Sequence, residues 1–258
     1  MSTANQSNPD GLELSRPRVN PWTIWGIIIV IALGLMVGYN YVIGKIREEH
    51  AKVVQGDSRP PMLGRLETDL TAVESSGSTV QLSELKGKVM LVSYVFTRCP
   101  RGCAGVVAIK KLLQEKFGNH PKFHLVSISV DAGYDTPETL TEFAKTHQVS
   151  GDNWWFLTGE KKDTEEEQLA ERNRICQYLT NPKGVNFHPV REVPEKDRLN
   201  ESDLYIHDAR IAVIDHMGRV RGLHEVLHPQ LSDVIYKKLV RDIEKVLKEA
   251  DEAGELPR

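Results

Sequence analysis

Two cysteines four positions apart, Cys99 and Cys103, are the residues whose types and spacing most directly suggest chemistry in this chain of 258 residues. They lie where a long apolar segment ends and a helical pattern begins, with Pro100 between them. Residues four apart share one face of a helix, and a helix N-terminus lowers the pKa of a thiol there. The pair could therefore supply two thiolates to one metal ion, or form a redox couple through a disulfide.

A metal site at these cysteines would need a further ligand. Structural zinc takes four ligands and no second cysteine pair is present, whereas thiolates suit Cu(I) and an added imidazole accommodates Cu(II). Of the nine histidines, His207 just precedes an apolar strand, where a loop can come alongside the cysteines. His224 and His228, before the last helix, form a possible second cluster. Cys176 is alone in a polar segment, and we interpret it as uninvolved.

Charged residues surround the cysteine pair. Arg98 and Arg101 flank Cys99; side chains that point toward the sulfurs would lower the thiol pKa further, and the alternative is a solvated surface pair. Asp131, after the next predicted strand, either supports the site or serves as a helix cap or surface residue.

The elements that must position these residues follow an α/β order. Residues 88–96 and 123–130 are nearly unbroken apolar runs, which are typical of strands buried on both faces of a sheet. The other predicted elements are a short hairpin near residues 75–82, helices at 106–117, from Thr136 and at 231–247, a strand at 154–157, and a hairpin at 209–223. This order predicts a central mixed sheet flanked by helices, compatible with a thioredoxin-like fold.

The composition changes between residues 160 and 203. A polar helix ending at about Leu179 is predicted first, and a stretch with several Asn, Gly and Pro residues follows it. Because such residues favour turns and loops, we predict an irregular insertion on the surface.

An apolar segment precedes the α/β pattern. No charged residue occurs between Arg18 and Lys45, and about 20 apolar residues span a bilayer. Aromatic residues flank the run as interfacial belts would: Trp22, Trp25, Tyr39 and Tyr41. The run is longer than a signal-peptide core of about 7–15 residues, so we predict an uncleaved transmembrane anchor. The flanking charges leave its orientation open.

Overall composition excludes several classes of protein. The chain has 33 basic and 36 acidic residues, a net charge of −3, which gives no electrostatic indication of a nucleic-acid partner. Three cysteines are too few for a disulfide-based scaffold.

Several segments resemble the Sco/SenC family, the copper-binding proteins that assist assembly of cytochrome c oxidase. The resemblance covers about residues 66–248. It is carried by the segment 85–88, the Cys-Pro-x-x-Cys loop at 99–103, the segments 129–138 and 155–159, and His207 ahead of Ile214.

The resemblance implies a thioredoxin-like (peroxiredoxin-like) fold with copper bound by Cys99, Cys103 and His207. It further implies a metallochaperone that delivers copper to, or prepares, the dinuclear copper site of a respiratory cytochrome c oxidase. The implied partners are a client such as oxidase subunit II and an upstream copper donor or thiol reductant. The implied location is the bacterial inner membrane, with the C-terminal domain in the periplasm. A thiol–disulfide reductase that uses the same two cysteines, without His207, stays open as the alternative.

These interpretations divide the chain into five parts. They are an N-terminal tail (1–20), a transmembrane anchor (21–44), a linker (45–65), the copper-binding domain (66–250, with the insertion at about 160–203) and a C-terminal tail (251–258).

Overall fold

A computed structural model describes residues 20–55, 59–149 and 151–255. The chain divides into two compact units between Glu48 and Glu49. The predicted N-terminal tail, apart from Asn20, lies outside the described residues, as do the last three residues of the predicted C-terminal tail.

The first unit is dominated by helix α1, Pro21–Gln55, whose last seven residues fall in the second unit. The Asn20 side chain accepts a hydrogen bond from the Trp22 N–H at 3.1 Å, and Pro21 occupies the first helical position. The stretch Pro21–Glu49 is long and apolar enough to cross a membrane. The helix passes the predicted end of the anchor because neither Gly nor Pro follows Gly44 before residue 56. The first half of the predicted linker is therefore helical.

The second unit contains the remaining elements. Its strands are β1 (Gly64–Arg65), β2 (Thr71–Glu74), β3 (Thr79–Gln81), β4 (Val89–Val95), β5 (Phe123–Ser129), β6 (Trp154–Thr158), β7 (Arg191–Glu192), β8 (Tyr205–Ile206), β9 (Ile211–Ile214) and β10 (Arg219–His224). Its helices are α2 (Cys103–Phe117), α3 (Pro137–Thr146), α4 (Glu165–Thr180) and α5 (Ser232–Glu255). Helix α5 thus includes part of the predicted C-terminal tail.

Within the described residues, eight strands form one sheet in the order β1-β10-β9-β4-β5-β6-β2-β3, and β7 pairs separately with β8. Strands β4, β5 and β6 are parallel, whereas β9 runs antiparallel to β4. Every residue of β4 and β5 is buried, as their apolar sequences indicate. The prediction of a central mixed sheet flanked by helices is confirmed.

Successive side chains of β4 point to opposite faces of the sheet. Met90 and Tyr94 pack in one apolar cluster, together with residues of α4. Leu91 and Val95 pack in the other, against α2 and α5. The centre of the sheet is therefore covered on both faces, and the carboxyl end of β4 is held firmly in place.

The prediction of a surface insertion is wrong for part of residues 160–203. Ile175 of α4 is fully buried, and Val185, Phe187 and Val193 are each no more than 2% exposed. These apolar residues are scattered among Asn, Gly and Pro without a regular period, so the sequence pattern indicated a loop. In the structure Ile175, Val185 and Phe187 cover the face of the sheet that carries Tyr94.

Candidate metal centre

The cysteine loop joins the carboxyl end of β4 to the N-terminus of α2. Cys99 lies within the loop and is partly exposed, whereas Cys103 begins the helix and is 6% exposed. Gly102 between them has φ +117°, a conformation that favours glycine. All three cysteines lie in the described part of the chain, and none forms a disulfide there.

His207 comes to this loop from a distant part of the sequence. It directly follows β8, and its Nε2 lies 2.8 Å from the Sγ of Cys103. Its Nδ1 lies 2.9 Å from the carbonyl oxygen of Asp208, which can only accept. Nδ1 therefore carries the proton, and the lone pair of Nε2 faces the cysteines.

Cys99, Cys103 and His207 form a group of potential metal ligands. One ligand atom from each residue lies within 4.8 Å of the other two. In the described part of the chain, no other group of three or more His, Cys, Asp or Glu side chains meets this criterion. The structure thus brings together the three residues that sequence reasoning selected.

The two thiols have different electrostatic environments. Hydrogen bonding from Cys103 is the main cause that lowers the pKa of Cys99 to about 4, with further contributions from the backbone N–H groups of Arg101 and Cys103. The Arg101 N–H, for example, lies 3.4 Å from the Sγ of Cys99. Hydrogen bonding with Cys99 and burial raise the pKa of Cys103. The group therefore pairs a partly exposed thiolate with a buried thiol.

The side chains of the two arginines beside Cys99 bond to aspartates and not to the sulfurs. Arg98 Nη2 donates to the carboxylate of Asp131 at 2.7 Å, and its guanidinium stacks over the ring of Tyr134 at 3.7 Å. Arg101 forms an ion pair with Asp203. Asp131 is therefore bonded to the neighbour of Cys99 and makes no contact with the sulfurs themselves.

The other candidates lie outside this group. His224 is buried, with Nε2 3.4 Å from the carboxylate of Asp242, and His228 Nδ1 accepts from the Gln230 N–H. Cys176 is buried in α4, and burial raises its pKa to about 11.

Sequence reasoning missed the side chains that hold the loop from outside. Thr97 donates its hydroxyl to Asp135, and Ser129 donates to the same carboxylate at 2.7 Å. Burial raises the pKa of Asp135 to about 6. Asp203 also gave no signal, since nothing in the local sequence associates it with Arg101, 102 residues away. The pairing arises from the fold alone.

The fold and this group of ligands define a thioredoxin-like protein with a candidate Cys-Cys-His metal centre. The SCO1/SenC family model matches residues 62–244. The chain therefore belongs to the SCO1/SenC family, which confirms the resemblance seen in the sequence.

Individual relatives agree with this assignment. The chain is 37% identical over 152 residues to the SCO1 protein homolog of Bacillus subtilis (strain 168), covering 51% of this chain and 78% of the homolog. The structure is similar to a SCO1/SenC family lipoprotein from Bacillus anthracis str. Ames, with a TM-score of 0.57, 23% identity, and coverage of 73% of this chain and 99% of that one.

A second solved structure is that of BsSco, described as a member of the Sco family of cytochrome c oxidase assembly proteins with a disulfide switch. Its TM-score is 0.56 and its identity 24%, with coverage of 74% of this chain and 98% of that chain. At these identities the two structures support the fold.

Proposed function

We propose that the chain is a membrane-anchored copper-binding assembly factor. Cys99 and Cys103 bind copper as thiolates and His207 binds it as a neutral imidazole. The apolar part of α1 anchors the chain in the bacterial inner membrane, with the second unit in the periplasm. The protein delivers copper to, or prepares, the dinuclear copper site of a respiratory cytochrome c oxidase. The convergence of the three ligand atoms within 4.8 Å carries the proposal.

The donor set suits copper as cargo. Two thiolates favour Cu(I), and the imidazole extends the set to one that accommodates Cu(II). The low pKa of Cys99 supplies one thiolate in advance, and the bond from Nδ1 to the Asp208 carbonyl leaves Nε2 of His207 free to coordinate. Three protein ligands, without a second cysteine pair, match copper better than structural zinc.

Delivery would proceed by ligand exchange with cysteines of a client such as oxidase subunit II. The partly exposed Cys99 is the ligand that such a client reaches first. An upstream copper donor or thiol reductant would prepare the site. A tether in the same membrane as the client raises the effective concentration of each for the other.

Anaerobic copper titration of the full chain in detergent micelles, with reduced thiols, tests the proposal. We expect one copper ion per chain and, for Cu(II), a sulfur-to-copper charge-transfer band. Cys99→Ala and Cys103→Ala should lose the band, and His207→Ala should weaken Cu(II) binding about 10-fold or more while affecting Cu(I) less. Cys176→Ala, which alters a buried cysteine outside the group, is the matched control and should bind like the parent.

Two results would contradict the proposed metal site. One is a parent protein that binds no copper tightly, and the other is unchanged Cu(II) affinity in His207→Ala. If Cys176→Ala weakened copper binding as much as Cys99→Ala, the cysteine loop would have no special role in binding the metal.

The thiol pair also favours a second candidate function, reduction of client disulfides. The Cys99 thiolate would attack a client disulfide, form a mixed disulfide and release one client thiolate, which takes up a proton. Cys103, on losing its proton, would then attack Cys99, release the second client thiolate and leave a Cys99–Cys103 disulfide. Two electrons pass to the client, and an external thiol reductant restores the pair. Reductase activity that persists in His207→Ala, without tight copper binding in the parent, would favour this function.

A further inference from the structure

Arg101, midway between the two cysteines, is bonded to the segment that leads to His207. Its Nε donates to the Asp203 carboxylate at 2.6 Å, and its Nη2 donates to the second oxygen of that carboxylate. The same Nη2 donates to the carbonyl oxygen of Asp197 at 3.1 Å. The Asp203 side chain is fully buried, whereas that of Arg101 is 35% exposed.

The chain around Asp203 is folded about this ion pair. The Leu199 N–H donates to the Asp203 carboxylate at 2.8 Å, and the Asp203 N–H donates to the Asn200 carbonyl oxygen at 3.1 Å. The hydrogen bond from Arg101 is the main cause that holds the pKa of Asp203 below its usual range. The carboxylate therefore joins residues 197–203 to the cysteine loop.

The far side of His207 is also fixed. The Asp208 carboxylate forms an ion pair with Arg210 and accepts the His188 N–H at 2.9 Å. His207 thus lies between two restrained aspartates, and only Asp203 is bonded to the loop that carries the cysteines. Apart from the contact between His207 and Cys103, this bond is the polar contact described above that connects the histidine segment to the cysteine loop.

We infer that the Arg101–Asp203 pair is a clamp that positions His207 against Cys99 and Cys103, so that residues 197–203 set Cu(II) affinity separately from Cu(I) affinity. The inference rests on the proposed copper-binding function. The sulfurs are placed mainly by the junction of β4 and α2, so loss of the clamp displaces the imidazole rather than the thiolates. Cu(II), which depends on the imidazole, is then affected more than Cu(I).

The clamp also explains why an arginine occupies position 101. Two parallel N–H bonds to one carboxylate require the planar guanidinium fork, and a lysine ammonium provides a point charge without that geometry. Arg101→Lys therefore removes the fixed orientation and retains the positive charge beside Cys99.

The test compares Arg101→Lys and Asp203→Asn with Arg98→Lys in the full chain in detergent micelles. Arg98 flanks Cys99 on the other side and is paired with Asp131 at 2.7 Å, which makes it a matched control. Both clamp variants should lose about 10- to 100-fold in Cu(II) affinity, as for other outer-shell partners, with Cu(I) affinity changed less than about 3-fold. Arg98→Lys should leave the ratio of the two affinities unchanged.

Hydrogen exchange of the copper-free proteins provides a readout that does not depend on metal. Amides of residues 197–208 should exchange at least about 10-fold faster in Arg101→Lys than in the parent or in Arg98→Lys. Circular dichroism establishes whether each variant is folded. If Arg101→Lys does not fold, the exchange measurement is made on Asp203→Asn instead.

Unchanged exchange in this segment, or equal losses of Cu(I) and Cu(II) affinity, would overturn the clamp. A parent protein that binds neither ion would instead overturn the proposed function. In that case the exchange data still decide whether the pair fixes the segment.

Discussion

The cysteine loop (residues 97–103) and the histidine segment (residues 203–208) contribute to the same site but are held in different ways. The loop connects the buried strand β4 to α2, so regular main-chain structure places both sulfurs. The histidine segment contains only the two-residue strand β8 and depends on ion pairs made by Asp203 and Asp208. A ligand at a strand–helix junction is fixed by the backbone, whereas a ligand on irregular chain is fixed by distant side chains.

The comparison explains how much could be predicted from the sequence. The strand of residues 88–96 and the helix after Cys103 have regular hydrophobic patterns, so the placement of the cysteines followed from local sequence. His207 was selected among nine histidines because it precedes an apolar strand, and the family resemblance strengthened that choice. Its contact with Cys103 is made across 104 residues, a distance over which local pattern contains no information.

The buried part of the insertion could not be predicted for a related reason. Phe187 lies between an Asn-rich turn and two prolines, where local chemistry indicates a loop. Its burial depends on the face of the sheet around Tyr94, which exists only once β4 and β5 are paired. The fold class was therefore predictable from segments with a regular hydrophobic period. The burial of the insertion residues that pack on the histidine side of the site was not predictable in this way.

The largest expected effect comes from removing the packing beneath the histidine segment. The Phe187 ring lies 5.4 Å from that of Tyr94, whose ring in turn meets His207 edge-on at 5.9 Å. Phe187→Ala should lower the free energy of unfolding by about 3–5 kcal/mol and weaken Cu(II) binding. Chemical denaturation and copper titration of the full chain measure both effects.

Phe123→Ala is the matched control for this substitution. Phe123 is 1% exposed and packs against Phe117 on the opposite face of the sheet. Phe123→Ala should lower the free energy of unfolding about as much as Phe187→Ala does, and it should leave Cu(II) affinity within about 3-fold of the parent. If Phe123→Ala weakens Cu(II) as much as Phe187→Ala, the two regions are not held independently.

The second prediction distinguishes the two thiols of the cysteine loop by their rates of alkylation. The expected difference is about 100-fold in rate, which is equivalent to about 2.7 kcal/mol. With a pKa of about 4, Cys99 has already lost its proton above about pH 5. Its alkylation by iodoacetamide in the reduced, copper-free protein should therefore change less than about 2-fold between pH 6 and 8, whereas an ordinary thiol accelerates nearly 100-fold. Cys103, whose pKa is raised, should react at least about 100-fold more slowly at pH 6.

The pH profile is the decisive quantity in this experiment, because a low pKa also reduces the intrinsic nucleophilicity of a thiolate. Peptide mass spectrometry assigns the modified residue. Cys103→Ala removes the main hydrogen bond that stabilises the Cys99 thiolate, so the Cys99 profile should become steeper at low pH. A Cys99 rate that rises with pH like that of an ordinary thiol would show that Cys103 and the backbone N–H groups at the helix N-terminus do not activate it.

The smallest effect separates a hydrogen bond from packing at the same side chain. The Tyr94 hydroxyl donates to the Cys176 carbonyl oxygen at 2.6 Å and thereby joins β4 to α4. Tyr94→Phe retains the ring beneath His207 and removes this bond, so unfolding should become easier by about 1 kcal/mol while Cu(II) affinity stays unchanged. Tyr178→Phe removes a more exposed hydrogen bond to the Thr68 carbonyl oxygen at 3.0 Å. It should lower the free energy of unfolding by a smaller amount.

Denaturation of Tyr94→Phe and Tyr178→Phe beside Phe187→Ala thus resolves how the histidine segment is supported. Ring contacts are retained in both tyrosine variants, and the ring of Phe187 is lost in the third. If Tyr94→Phe weakens Cu(II) as strongly as Phe187→Ala, the anchoring of α4 to β4 positions the imidazole. If only Phe187→Ala does so, contact between aromatic rings supports His207 from below, and the ion pair of Asp203 restrains it from the side.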